Sequence, residues 1–155
     1  MDLPGTLEEL NTKAKTIRSL RNCNPLNIRR TADHWQGMRM VQSDRAFCQF
    51  DTMAYGYRAA FKLLSRYVRT YHLKSVREIV TRWAPEEEND TRSYIRSVCA
   101  FGHLGGNEII NASDRKQMCA LVGAMAHVES GVAADESEVA EGWALYERKE
   151  EEDKG

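Results

Sequence analysis

At 155 residues, 42% hydrophobic and 29% charged, the chain has the size and make-up of one globular domain able to bury its own core. No run approaches the roughly 18 apolar residues of a membrane span, and Cys23, Cys48, Cys99 and Cys119 include no C-x-x-C pair, so no span, metal or cofactor is expected. Net charge is −1, split between an acidic tail (nine acids and three bases in 135–155) and a mildly basic body (fourteen acids and nineteen bases in 1–134) that suits an anionic polymer.

The opening MDLPGTLEEL is acidic where an export signal is basic, so synthesis in the cytoplasm without a signal peptide is expected. Thr6-Leu7-Glu8-Glu9 is a capping-box pattern that starts a helix ending near Ser19. Residues 21–27 (RNCNPLN) are too rich in Asn and Pro for helix and read as an ordered loop. Residues 38–41 and 46–50 flank a polar Gln42-Ser43-Asp44-Arg45 turn and predict a small β-hairpin.

Helix dominates from there. Ala54, Tyr57, Ala60, Phe61, Leu64, Tyr67, Val68 and Tyr71 recur at threes and fours and predict a long amphipathic helix. Ser75-Val76-Arg77-Glu78 caps a helix with Val76, Ile79, Val80 and Trp83 on one face, stopped by Pro85. Asn89 or Asp90 caps the next, which carries Tyr94, Ile95 and Val98. Cys99 and His103, four apart, are placed to share one face of it. Ser113 caps a helix running to about Ser130, terminated by Gly131. A final amphipathic stretch near 136–148 bears Val139, Trp143 and Tyr146, and the closing acidic residues are expected to fray. The expected class is α+β, mainly α, with a body over 1–134 and a C-terminal helix and tail over 135–155.

One carboxylate is out of place. On the 113–130 helix, Met118, Leu121, Val122, Met125 and Val128 form an apolar stripe, and advancing about 100° per residue puts Glu129 roughly 20° from Met118, inside it. His127 falls on the opposite, wet side. A carboxyl on a core-facing stripe must be paired or open onto a cleft, and desolvation there favours the protonated form that a glycosidic general acid needs.

Ala124–Gly131 (AMAHVESG) resembles the helix end, closing in Glu-Ser-Gly, of lytic transglycosylases, goose-type lysozymes and bacterial glucosaminidases. The resemblance implies that Glu129 is the catalytic acid. Asn24-Pro25-Leu26-Asn27-Ile28-Arg29 resembles the Asn-rich loop of the glucosaminidases, Trp35-Gln36-Gly37 their W-x-G, and Trp83-Ala84-Pro85 with Asn89, Asp90 and Tyr94 a further block. In those families the Glu helix precedes the Asn loop. Here the order is reversed, as a circular permutation would arrange it. Residues 21–29 (RNCNPLNIR) and 82–94 (RWAPEEENDTRSY) are also similar to a family of phage and prophage lysozyme-like virion proteins that carry R-N-N-N-P-G-N-I-R and R-W-A-P-x-x-E-N-D-T. Cys23 and Leu26 depart from that pattern, and a Leu in place of Gly at 26 argues against positive φ there.

The resemblances imply cleavage of peptidoglycan glycan strands by a muramidase or lytic transglycosylase, delivered to the cell wall by a virion or a lysis partner. The alternative is a non-enzymatic virion or glycan-binding protein on the same fold. A nucleic-acid partner is not expected, since no recognised binding motif accompanies the basic body and the tail is acidic. Trp35, Tyr55, Trp83 and Tyr94 are candidates for stacking on sugar rings, and Asn24, Asn27 and Asn89 for binding their polar groups. Glu86-Glu87-Glu88 reads as a solvated cluster, which leaves Asp44 and Asp51 as candidates for a second carboxylate.

Overall fold

A helix with apolar residues on more than one side belongs in the middle of a bundle, and 115–130 is such a helix. In the computed structural model, which describes residues 17–154 with side chains through Arg148, Met118, Leu121, Val122, Ala124, Met125 and Ala126 of this helix are all buried. Among the described residues the helices are α1 (Arg18–Arg21), α2 (Met53–Arg69), α3 (Val76–Trp83), α4 (Thr91–Gly102), α5 (Arg115–Ser130) and α6 (Glu136–Lys154). Most of the helix expected from Thr6 lies outside the described residues.

Local chemistry sets the helix limits. Side chains of Thr52, Ser75, Asp90 and Asp114 each accept a hydrogen bond from the backbone N–H three residues on, and so open α2, α3, α4 and α5. Asp114 takes the role expected of Ser113. Gly131, at φ 75°, supplies the left-handed C-cap of α5 that a residue with a Cβ adopts only with strain. α2 stops at Arg69, so Tyr71 lies beyond it and is half exposed. His103 is the left-handed C-cap of α4 (φ 52°), so it leaves the helix and does not share a face with Cys99. The four cysteines are free thiols, Cys48 buried and the others half-buried.

α6 is longer than expected and remains helical through Lys154. Its face of Val139, Trp143 and Tyr146 packs on α2, where Trp143 meets Phe61 edge-on at 5.1 Å and the Tyr146 hydroxyl donates to Ser65 Oγ at 3.0 Å. The helices approach so closely at Gly142 that a Cβ there would lie 2.4 Å from Tyr57 Cβ. Residues 136–148 therefore share the core of the body.

The expected hairpin is reduced to isolated antiparallel bridges. Residues 46–50 lie between two partners, bridging Arg29 to Phe47 on one side and Met38 to Phe50 on the other. The pairing with 38–41 ends after Arg39 because a side chain takes over the backbone's bonds. Gln49 N–H donates to Gln42 Oε1 at 2.8 Å, and Gln42 Nε2 donates to the carbonyls of Gln49 (2.8 Å) and Arg39 (2.9 Å). Met40 and Val41 are left exposed, at 100% and 77%. The described residues are thus mainly helical, with very little strand.

Candidate active site

The Asn-rich loop owes its shape to buried amides. Asn22 is fully buried, donating to Asp44 Oδ2 at 2.9 Å and accepting from Gln49 Nε2 at 3.0 Å. Asn24, equally buried, accepts from Ile28 N–H at 2.9 Å and donates to the carbonyls of Ile28 (3.0 Å) and Cys48 (2.9 Å). These bonds replace the secondary structure that the loop lacks. The left-handed residues are Cys23 (φ 50°) and Asn27 (φ 53°). Leu26 is not among them, and its side chain is wholly in the core.

With Leu26 and Ile28 buried, Asn27 faces the end of α5. Its Nδ2 donates to Glu129 Oε1 at 3.0 Å. Two further donors reach the same carboxyl: the Tyr94 hydroxyl, from α4, lies 2.7 Å from Oε2, and Trp83 Nε1, from the end of α3, lies 3.4 Å from it. Glu129 is half-buried, as its place on the apolar stripe requires. Burial, and secondarily the charge and hydrogen bond of Glu129, push the Tyr94 hydroxyl far above its ordinary pKa, so it serves as a fixed donor.

Glu129 borders an open cleft of about 450 Å³. One wall comes from the loop and the segment beyond it (Asn27, Arg29, Thr31, Asp33, Trp35, with Phe47), the other from Trp83, Ala84, Glu88 and Asn89, with Leu63 and Tyr67 of α2 between them. No described residue of α6 lines it, so the helix through Arg148 does not plug the site. The cleft combines flat aromatic surfaces with a few polar groups, as sugar sites do.

Of the candidates from sequence, Asn27, Trp35, Trp83, Asn89 and Glu129 line the cleft, and Tyr94 supports it from behind Glu129. Trp35 is only 6% exposed and carries the Arg66 guanidinium 5.6 Å from its ring centroid. Asn89 Nδ2 donates to the Pro85 carbonyl at 3.3 Å. The rest stand elsewhere. Asn24 shapes the loop, Tyr55 packs against Gly37, and Asp51 is exposed away from the cleft.

Asp44, the other candidate second carboxylate, is a structural anchor. It accepts from Arg18 Nε and Nη2 at 2.7 and 2.6 Å, from Asn22, and from the backbone N–H groups of Ala46 and Phe47 at 2.9 and 3.0 Å. The Arg18 guanidinium, and then the Asn22 and backbone donors, hold its pKa well below the usual carboxylate range against the effect of its burial.

The carboxylates that do share the cleft with Glu129 are Asp33 and Glu88. Asp33 lies in a loop that no sequence pattern marks, and Glu88 belongs to the acidic run that reads as solvated. Asp33 pairs with Arg66 at 3.8 Å. Arg29 and Tyr67 also escape sequence reasoning as cleft residues, because alternation reports only which face a side chain takes and the α2 stripe reads as core throughout.

No known family model matches the chain. It is 36% identical over 138 residues to Protein P5 of Pseudoalteromonas phage PM2, an alignment that covers 85% of this chain and 84% of that protein. At that identity and coverage, the chain belongs to the family of this phage protein.

Proposed function

We propose that the protein cleaves the glycan strands of bacterial peptidoglycan, as a muramidase or lytic transglycosylase acting on the β-1,4 bond between amino sugars, with Glu129 as general acid. The observation that carries this reading is the convergence of Asn27, Trp83 and Tyr94 on one half-buried carboxyl beside an aromatic-lined cleft. The same geometry supports a lysozyme-like domain in circularly permuted order, because it brings the Asn loop against the Glu helix. That the relative is a phage protein fits delivery to the wall by a virion or a lysis partner.

The donors differ between the two oxygens. Oε2 accepts from both Tyr94 and Trp83, which uses its lone pairs, whereas Oε1 accepts from Asn27 alone. Oε1 is therefore the atom that carries the transferable proton. It passes the proton to the glycosidic oxygen as the C1–O bond breaks, and the bonding pair leaves with that oxygen. An oxocarbenium-like C1 then takes up water in a hydrolase, with Asp33 or Glu88 as the carboxylate that removes the water's proton. In a transglycosylase the substrate's acetamido group stabilises C1 and its own C6 hydroxyl attacks, returning a proton to Glu129 and leaving a 1,6-anhydro end.

The test is purified protein on cell-wall sacculi, with products read by mass spectrometry. Wild type is expected to release soluble muropeptides, and Glu129→Gln to release them roughly 10²- to 10⁴-fold more slowly. Equal release by the two proteins sinks the enzymatic reading. Anhydro ends select the transglycosylase route, and reducing ends the hydrolase.

A second reading, a non-enzymatic virion or glycan-binding protein, is favoured by the same clasp, since it ties the Asn loop, α3 and α4 to α5. It predicts that wild type binds sacculi without turnover and that Glu129→Gln mainly lowers the melting temperature.

A further inference from the structure

The walls of the cleft carry an uneven set of charges. Glu129, Asp33 and Glu88 supply carboxylates, and Arg29 is the one lysine or arginine among its described lining residues. Arg66, close by, is turned to Asp33 and the Trp35 ring. Arg29 is exposed and has no carboxylate partner among the described residues, with its guanidinium resting 5.8 Å from the centre of the Phe47 ring.

Its placement is fixed by the backbone. Cys48 N–H donates to the Ile28 carbonyl at 2.9 Å, Arg30 N–H donates to the Ala46 carbonyl at 2.8 Å, and Arg29 bridges to Phe47 between them. Ile28 enters the core and Arg30 turns to the Asp44 carbonyl, while Asn27 and Arg29 both line the cleft. Arg29 therefore stands two residues along from Asn27, the residue that holds Glu129, and lines the same cleft.

Resting on the glycosidase reading above, we infer that Arg29 is a specificity determinant that pairs with a carboxylate on the sugar next to the cut. Peptidoglycan offers such a group on every second sugar, as the lactyl carboxylate or, where a stem peptide is attached, the carboxylates of that peptide. Chitin offers none. A guanidinium suits this task because it binds a carboxylate through two parallel N–H bonds and keeps its charge at all relevant pH values. Without it, no lysine or arginine among the described lining residues meets an anionic substituent, so the arginine decides how well such a strand is held.

The test uses Glu129→Gln protein, so that binding is measured without turnover, and three probes: chitooligosaccharide, peptidoglycan strands stripped of peptides by an amidase, and strands retaining their stems. Glu129→Gln is expected to bind one or both peptidoglycan probes roughly 3- to 10-fold tighter than chitooligosaccharide, with the preference shrinking as salt rises. The double variant Glu129→Gln/Arg29→Gln is expected to bind all three alike. Preference for stripped strands assigns the lactyl group, and preference only for stemmed strands assigns the peptide. A preference that survives Arg29→Gln, or the absence of any preference, overturns the inference. Sacculus turnover by wild type is read separately, so loss of the specificity claim and loss of the glycosidase reading remain distinguishable.

Discussion

The α2–α6 face and the Asn-loop side of the cleft solve burial in opposite ways. Between α2 and α6, aromatic rings pack together: Phe61, Trp143 and Tyr146 lie within 5.1–6.2 Å of one another, and the Tyr146 hydroxyl bonds to Ser65 at the same face. On the loop side, Asn22, Asn24, Asp44 and Gln49 are buried together and hydrogen-bonded to one another or to backbone. Apolar burial is non-directional and adds stability in proportion to area. A buried amide costs free energy unless its partners sit at defined distances and angles, so the polar side fixes direction. The molecule is held together by the first region and aimed by the second.

The widest separation between the two regions should come from Trp143→Ala. The indole is 3% exposed and packs edge-on to Phe61, so its removal leaves a large cavity and costs about 3–5 kcal/mol. For a chain of this length that lowers the melting temperature by roughly 8–15 °C. Because Trp143 and the other described residues of α6 do not line the cleft, sacculus lysis per folded molecule well below that transition should be unchanged. Thermal melts beside activity assays at low temperature check both halves. A stable but inactive variant breaks the division of labour.

Asp44→Asn probes the polar side at its anchor and should cost about 2–3 kcal/mol at neutral pH, since a carboxylate accepting charged and backbone donors is lost. Its pH dependence has a definite sign. The folded-state pKa of Asp44 lies below that of the unfolded chain, so its contribution is complete above the ordinary carboxylate pKa of about 4 and is lost as pH falls below it. Wild type should therefore lose stability between neutral and acid pH more steeply than Asp44→Asn. Denaturant titrations at pH 7 and pH 3 measure the difference, and parallel pH curves for the two proteins remove Asp44 from the anchoring role.

The same contrast governs how much of the fold and the site is legible in the sequence. Periodicity reads apolar burial well, so each of α2 to α6 is found on its stripe, with errors at the ends only (Tyr71 beyond α2, Asp114 in place of Ser113 as the cap of α5, α6 running on to Lys154), and Glu129 stands out as an acid on an apolar face. The loop side is built from hydrogen bonds between residues far apart in the chain, which leave no local period. Asp44 reads as a turn residue because its ties to Arg18, 26 positions earlier, are invisible along the sequence. The hairpin fails for a similar reason, since Gln42 substitutes its own amide for a strand's backbone. Asp33 and Glu88 share a cleft only after folding.

The finest probe of the comparison is Tyr94→Phe, which removes one oxygen where the two regions meet. The ring keeps its packing on α4, so the cost in stability should be only about 1–2 kcal/mol, from the lost bond to a carboxyl. The effect on turnover should be sharper. With its hydroxyl gone, Oε2 retains only the longer contact to Trp83, and the transferable proton is no longer directed to Oε1 by two occupied sites opposite. A fall in rate of roughly tenfold, with half-saturation by sacculi little changed, is the expected signature of a residue that positions the acid without touching substrate. A second readout is independent of activity. Tyr94 has a folded-state pKa above that of the unfolded chain, so its contribution is intact below about pH 10 and drains away as pH rises beyond it. Tyr94→Phe should therefore flatten the alkaline limb of the stability curve, whereas a tyrosine with its hydroxyl in water would leave that limb as it is in wild type.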